Sequence, residues 1–331
     1  MPRSSRHLVD PELLPLLGLF PPLDLNAAAL VDLRSRVPRL LENAWSSTRL
    51  IPGPSGAPEV RVVIHAPPTE LPPAPQGAMP QQPLRAPRPC ILHIHGGGFV
   101  MGSPNSLQQW HRRLARESGC VIVSVDYRLA PETRFPGALE DCYAALAWVH
   151  AEAASLGIDP GRIGVMGESA GGCLAAALAL LARDRGEHAL AFQHLIYPML
   201  DDRTCVTIDP RPYAGEFLWT ATNNTFGWTS LLPVPPGSPS VSPYAAPARA
   251  TDLAGLPPAF ISAAALDLLL DEDVDYAVRL SRHGVPVELH VYPGCFHAFD
   301  MAPAARVVDT ARRDTVSALL RATGQRAPAG N

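Results

Sequence analysis

Ser169 lies in the stretch "VMGESAGGCLAAALALL" (165–181), flanked at two-residue spacing by Gly167 and Gly171, where a short apolar run gives way to one rich in Ala and Leu. A G-x-S-x-G pattern at a strand-to-helix turn lifts a serine hydroxyl clear of the sheet edge, and only glycine-sized neighbours fit so tight a turn. The helix that begins at the serine turns its unpaired amides and positive end toward any negative charge developing there. Upstream, "HIHGGGFVMG" (93–102) places three glycines directly after an apolar run. Such a loop can point backbone amides into a cavity, so Gly97 and Gly98, joined by Ala170 after the serine, are the expected donors to an oxyanion. His93 and His95 share one face of the preceding strand. Hydrogen-bonding support of the glycine loop is expected of them, rather than metal ligation.

A serine alcohol is a poor nucleophile at neutral pH and needs a base that a third group orients. The usual chain order for this strand-turn-helix arrangement is serine, acid, histidine. The base should therefore follow the last strand, where "VELHVYPGCFHAFD" (287–300) supplies His297, while His290 falls inside the strand pattern. The acid should follow the strand before it. In "PAFISAAALDLLLDED" (258–273) Asp267 comes first, and Asp271 opens a helix, where an N-cap role suits it. This set of groups predicts acyl transfer through a serine ester.

Those residues need a scaffold. Strand patterns at 59–66, 90–95, 120–127, 162–167, 191–198, 258–264 and 287–293 alternate with helix patterns at 106–119, 138–157, 170–186 and 271–284. Continuous apolar strands alternating with helices predict an α/β fold with a mostly parallel sheet covered on both faces. The first fifty residues read as helical, with 26–44 the best amphipathic stretch. The proline-rich segment 67–89 reads as a long surface loop. Residues 201–250 break the alternation, carry Phe217, Trp219, Phe226 and Trp228, and read as part of a lid.

Composition narrows the rest. The chain has 331 residues, 47% hydrophobic and 18% charged, with a net charge of −4, so no basic field marks it for nucleic acid or anionic membrane. All 27 basic residues are arginine, which excludes lysine Schiff-base chemistry and a P-loop lysine. Six cysteines without a C-x-x-C pair read as reduced core thiols. No apolar run approaches the ~20 residues of a membrane span, and the N-terminus lacks the features of a signal peptide, so a cytoplasmic protein is expected.

With these pieces assembled, the chain resembles the hormone-sensitive-lipase-like family of α/β-hydrolase esterases from about residue 57 to 315. The resemblance is carried by "HGGGFVMGS", "VDYRLAPETRFPGALEDC", "VMGESAGG", "LPPAFISAAALDLLLDE" and "VYPGCFHAF". It implies an eight-stranded, mostly parallel sheet formed by residues 51–200 and 246–331, under a helical cap built from residues 1–50 and the insertion 201–245. It also implies a serine carboxylesterase that needs no cofactor, with Ser169, Asp267 and His297 as its triad, and a homodimer through an edge strand. Leu268, Leu270 and Ala298 depart from the residues usual at their positions. Arg128 and Glu132 of "DYRLAPE", and Glu168, are expected to fasten the loops beneath the oxyanion turn. Phe99 is the expected pocket wall; Phe217 and Trp219 are cap aromatics that are also candidates for substrate contact. The expected reaction is hydrolysis of short- to medium-chain esters. Competing readings are a non-catalytic small-molecule receptor on the same scaffold, and an amidase or lactonase with the same triad.

Overall fold

The structure is a computed structural model that describes residues 4–19, 23–41, 43, 45–66, 86–302 and 304–325. Its strands are β1 (Ser46–Ile51), β2 (Val60–His65), β3 (Arg88–Ile94), β4 (Val121–Asp126), β5 (Ile158–Glu168), β6 (Gln193–Ile196), β7 (Ala259–Ala264) and β8 (Val287–Tyr292). They make one sheet in the order β1-β2-β4-β3-β5-β6-β7-β8. β1, β2 and β4 pair antiparallel, and every pairing from β4 through β3 to β8 is parallel.

The helices are α1 (Leu14–Leu19), α2 (Ala27–Ser35), α3 (Gln108–Ser118), α4 (Gly137–Ala151), α5 (Ala170–Arg185), α6 (Ala221–Leu231), α7 (Leu270–Arg282) and α8 (Arg306–Ala322). Side-chain alternation along the strands divides the core into two layers. Leu92, Ile94, Val123 and Val165 pack with Leu146 of α4 and Leu178 of α5. Ile91, Ile122 and Met166 face the other way, toward Leu114 of α3 and Val308 of α8. Helix α5 is buried from Ala170 to Ala182, which its Ala-rich sequence permits, and it ends at the left-handed Gly186.

Several expectations are corrected. The helical reading of the first fifty residues holds only as far as Ser35, because Pro38 cannot continue a helix. Residues 46–51 instead form β1, a strand held by its ladder to β2 and not by its own pattern. β3 starts at Arg88, so Pro89 lies in a strand and not in a loop. The register shifts between Arg88 and Cys90, a place where a residue without an N–H is tolerated. Residues 67–85 of the proline-rich segment lie outside the described residues. Helices α6 and α8 are additional to the helices expected from the sequence. No described helix is long and apolar enough to cross a membrane.

Candidate active site

β5 ends at Glu168 and α5 begins at Ala170, leaving Ser169 alone at the turn with φ 55° and ψ −120°. A non-glycine residue held there costs of order 1–3 kcal/mol and persists only where its surroundings over-determine it. They do so here. Ser169 N–H donates to the Ile196 carbonyl at 2.9 Å, and the Ser169 carbonyl accepts from Cys173 and Met199, each at 3.0 Å. A side chain on Gly167 would strike the carbonyl of Gly171, and one on Gly171 would strike the carbonyls of Ile94 and His95. Glycine is required at both positions because backbone occupies the space.

His297 follows β8 and Asp267 follows β7, and both reach the elbow. His297 Nε2 lies 2.9 Å from Ser169 Oγ, and its Nδ1 lies 2.6 Å from Asp267 Oδ2. A carboxylate can only accept, so Nδ1 carries the proton and Nε2 is left to accept from the serine hydroxyl. All three side chains are buried, at 5%, 1% and 6% exposure for Ser169, Asp267 and His297. Asp267 Oδ1 also accepts from the Leu269 amide at 3.2 Å. That local turn leads into α7, which begins at Leu270 with Leu269 at the N-cap position and no side-chain cap. Asp271 is therefore not the N-cap: it lies in the first turn, mostly exposed, 3.3 Å from Arg211.

The glycine loop rests directly on the elbow. A side chain on Gly96 would press on the Glu168 carbonyl at 2.9 Å. Gly97 and Gly98 have φ of 122° and 59°, and the Gly97 carbonyl accepts from Val100 and Met101. Among the described residues, the amides of Gly97, Gly98 and Ala170 donate to no protein acceptor. Amides left without a protein acceptor here are free to bond a ligand oxygen.

Beneath the loop, His93 Nδ1 meets Ser124 Oγ at 2.8 Å and its Nε2 meets Glu168 at 2.9 Å. His95 Nδ1 bonds the Gly96 carbonyl, and Tyr127 Oη donates to that of His95. His95 thus holds the loop itself, while His93 holds Glu168 beside the serine; no group of three or more metal-ligating side chains occurs among the described residues. Arg128 grips Asp141 with two nitrogens. Glu132 pairs with Arg34 of α2, and it is that guanidinium which holds the carbonyls of Val100 and Ala130 behind the glycine loop.

Of the aromatic candidates, Trp219 is the one in ring contact with His297. Its ring is 5.8 Å from that of His297, and it fills the space a side chain on Gly98 would need. Phe99 is buried against Trp228 and Phe217 packs on Phe296. One residue escaped the sequence reading. Tyr197, just after β6 at φ 35°, sets its ring edge-on 4.8 Å from His297 and donates its hydroxyl to Asp300 at 2.7 Å. Burial pushes the Tyr197 hydroxyl well above its ordinary range, so it remains a donor. The only signal for it was its place at a strand end beside the serine's own strand.

The profile of the alpha/beta hydrolase fold family matches residues 91–301. Esterase LipI of Mycobacterium tuberculosis is 36% identical over 292 residues, covering 84% of this chain and 87% of its own length. Carboxylesterase NlhH of the same organism is 35% identical over 314 residues, covering 90% and 91%. Among solved structures, Bacterial Heroin Esterase has a TM-score of 0.83 and 40% identity, over 97% of this chain and 99% of that one.

Proposed function

The chain belongs to the hormone-sensitive-lipase-like esterases of the α/β-hydrolase fold, and from that premise we propose that it hydrolyses short- to medium-chain carboxylic esters through an acyl-enzyme on Ser169. Ser169 attacks the ester carbonyl while His297 takes its proton, and Asp267 keeps the imidazole in the required tautomer and stabilises its charged form. The amides of Gly97, Gly98 and Ala170 hold the oxyanion, each such donor being worth ~10²–10³ in turnover. His297 then gives its proton to the leaving alcohol. Water, activated by the same base, repeats the sequence and releases the acid.

The observation that carries this reading is a single imidazole within hydrogen-bond reach of both the alcohol and the carboxylate. Trp219, close over both His297 and Gly98, acts as the near wall of the substrate site. A wall this close favours acyl groups of modest length. The N-terminal segment and the insertion 201–245 together serve as the cap.

The test is turnover of p-nitrophenyl esters of increasing acyl length, with and without a serine-directed phosphonate. Ser169→Ala is expected to lose at least ~10³-fold in kcat/KM on the butyrate ester, and the phosphonate to label Ser169. Retained turnover in that variant, or labelling elsewhere, overturns the assignment.

A further inference from the structure

Five residues, 265–269, join β7 to α7, and Asp267 is the middle one. The loop's first two amides bond to one neighbour and its first three carbonyls to another. On the first side, Ala265 N–H donates to the Tyr292 carbonyl at 3.0 Å and Leu266 N–H to that of Cys295 at 2.8 Å, which ties the loop to the segment entering His297. On the second side, Arg211 Nη2 donates to the Ala265 carbonyl at 2.8 Å and reaches that of Asp267 at 3.4 Å. Between them, Gly215 N–H takes the Leu266 carbonyl at 3.1 Å. Three consecutive carbonyls are thus held by one stretch of the insertion, 211–215. Gly215 has φ 71°, and a side chain there would press on Leu268 at 2.8 Å, so the stretch lies flat against the loop.

We infer that Arg211 is a positioning residue for Asp267, holding the acid's loop at the depth where the carboxylate meets His297. The inference rests on the triad proposed above. A guanidinium donates charge-assisted bonds in fixed directions, and this one spans the carbonyl of Asp267 itself and that of a residue two before it. Without it, those carbonyls must find water, and the short loop shifts to let water in. The 2.6 Å contact between Asp267 and His297 has no slack to absorb such a shift. Misplacement by about an ångström costs a catalytic contact on the order of 10²-fold. Because Asp267 acts on the charged imidazole of the transition state, the loss falls on kcat and leaves KM in place.

The experiment compares the wild-type protein with Arg211→Met, which keeps the stem's packing but has no donor, and with Arg211→Lys, which keeps one. Readouts are kcat and KM on p-nitrophenyl butyrate, the melting temperature, and the downfield proton resonance of an imidazole bonded to a carboxylate. Arg211→Met is expected to lose kcat by roughly 10–100-fold with KM within about twofold, and to weaken or shift that resonance. Arg211→Lys should fall between it and wild type. Unchanged kcat, a loss confined to KM, or an unaltered resonance overturns the inference. Should Arg211→Met not fold, Arg211→Lys decides alone, with wild-type kcat and resonance counting against the proposal. An inactive wild type, or an active Ser169→Ala, would instead refute the esterase mechanism itself, so the two failures are told apart.

Discussion

In the proposed mechanism His297 Nε2 takes a proton from Ser169 only while Nδ1 keeps its own, and Asp267 is the acceptor that keeps it there. Asp267→Asn would let the side-chain amide donate to Nδ1 and select the wrong tautomer. A fall in kcat of about 10⁴-fold is expected, with the fold intact by circular dichroism. Asp271→Ala removes a mostly exposed carboxylate paired with Arg211, and a change within about fivefold is expected. Kinetics showing the reverse ranking would move the acid to Asp271. At this scale much was legible, because chain order and strand placement favour Asp267 over Asp271. Tyr197 was not, since nothing local relates a tyrosine after β6 to a histidine one hundred residues later.

The elbow joining β5 to α5 sets local preference against packing. Alanine is favoured over glycine inside a helix by about 1 kcal/mol, so propensity alone would make Gly171→Ala a stabilising change. The added methyl would meet the carbonyls of Ile94 and His95, which belong to the strand end carrying the glycine loop. Packing is expected to win, with a net destabilisation of roughly 1–3 kcal/mol in urea unfolding. Unchanged stability would mean that the glycine loop can withdraw from the elbow. Helix α5 was readable because its composition and glycine boundaries agree with its place in the core. β1 was not, because "SSTRLI" has little pattern of its own and becomes a strand only by pairing with β2.

Across the whole molecule, burial keeps a group of histidines uncharged. It lowers His65 and His95 to about 4 and His194 to about 3, and it pushes His111 well below the ordinary value of 6.5. A histidine depressed in the folded state contributes stability in full above about pH 6.5, and that contribution is lost as pH falls toward the folded value. Glu272 and Asp273 act in the opposite sense. Burial raises both well above the carboxylate range, so their contribution is present at low pH and lost as pH rises through the raised values. Net pH dependence mixes the two, and a single variant separates them. His194 stacks on Phe260 with ring centroids 4.2 Å apart, and a phenyl ring can occupy the same place without titrating. Between pH 6.5 and pH 4, His194→Phe is expected to lose ~3 kcal/mol less stability than wild type. Parallel unfolding curves for the two proteins would show that His194 does not titrate this way.

The amino-acid sequence by itself determined which reacting groups exist, their order along the chain, and the strand–helix alternation that carries them. These are local properties: a glycine beside a serine, an apolar run, a loop after a strand. Only the tertiary structure decided which distant residues meet. β5, β6, β7 and β8 lie side by side and parallel, so their carboxyl ends bring Ser169, Tyr197, Asp267 and His297 together in a row. A separation of 128 positions between Ser169 and His297 thereby becomes a 2.9 Å contact. Sheet order is set by burying both faces of every central strand at once, a condition on the whole chain that no window of it contains. The same holds for Arg211 and Trp219, whose proposed roles come from where the insertion lands on the core.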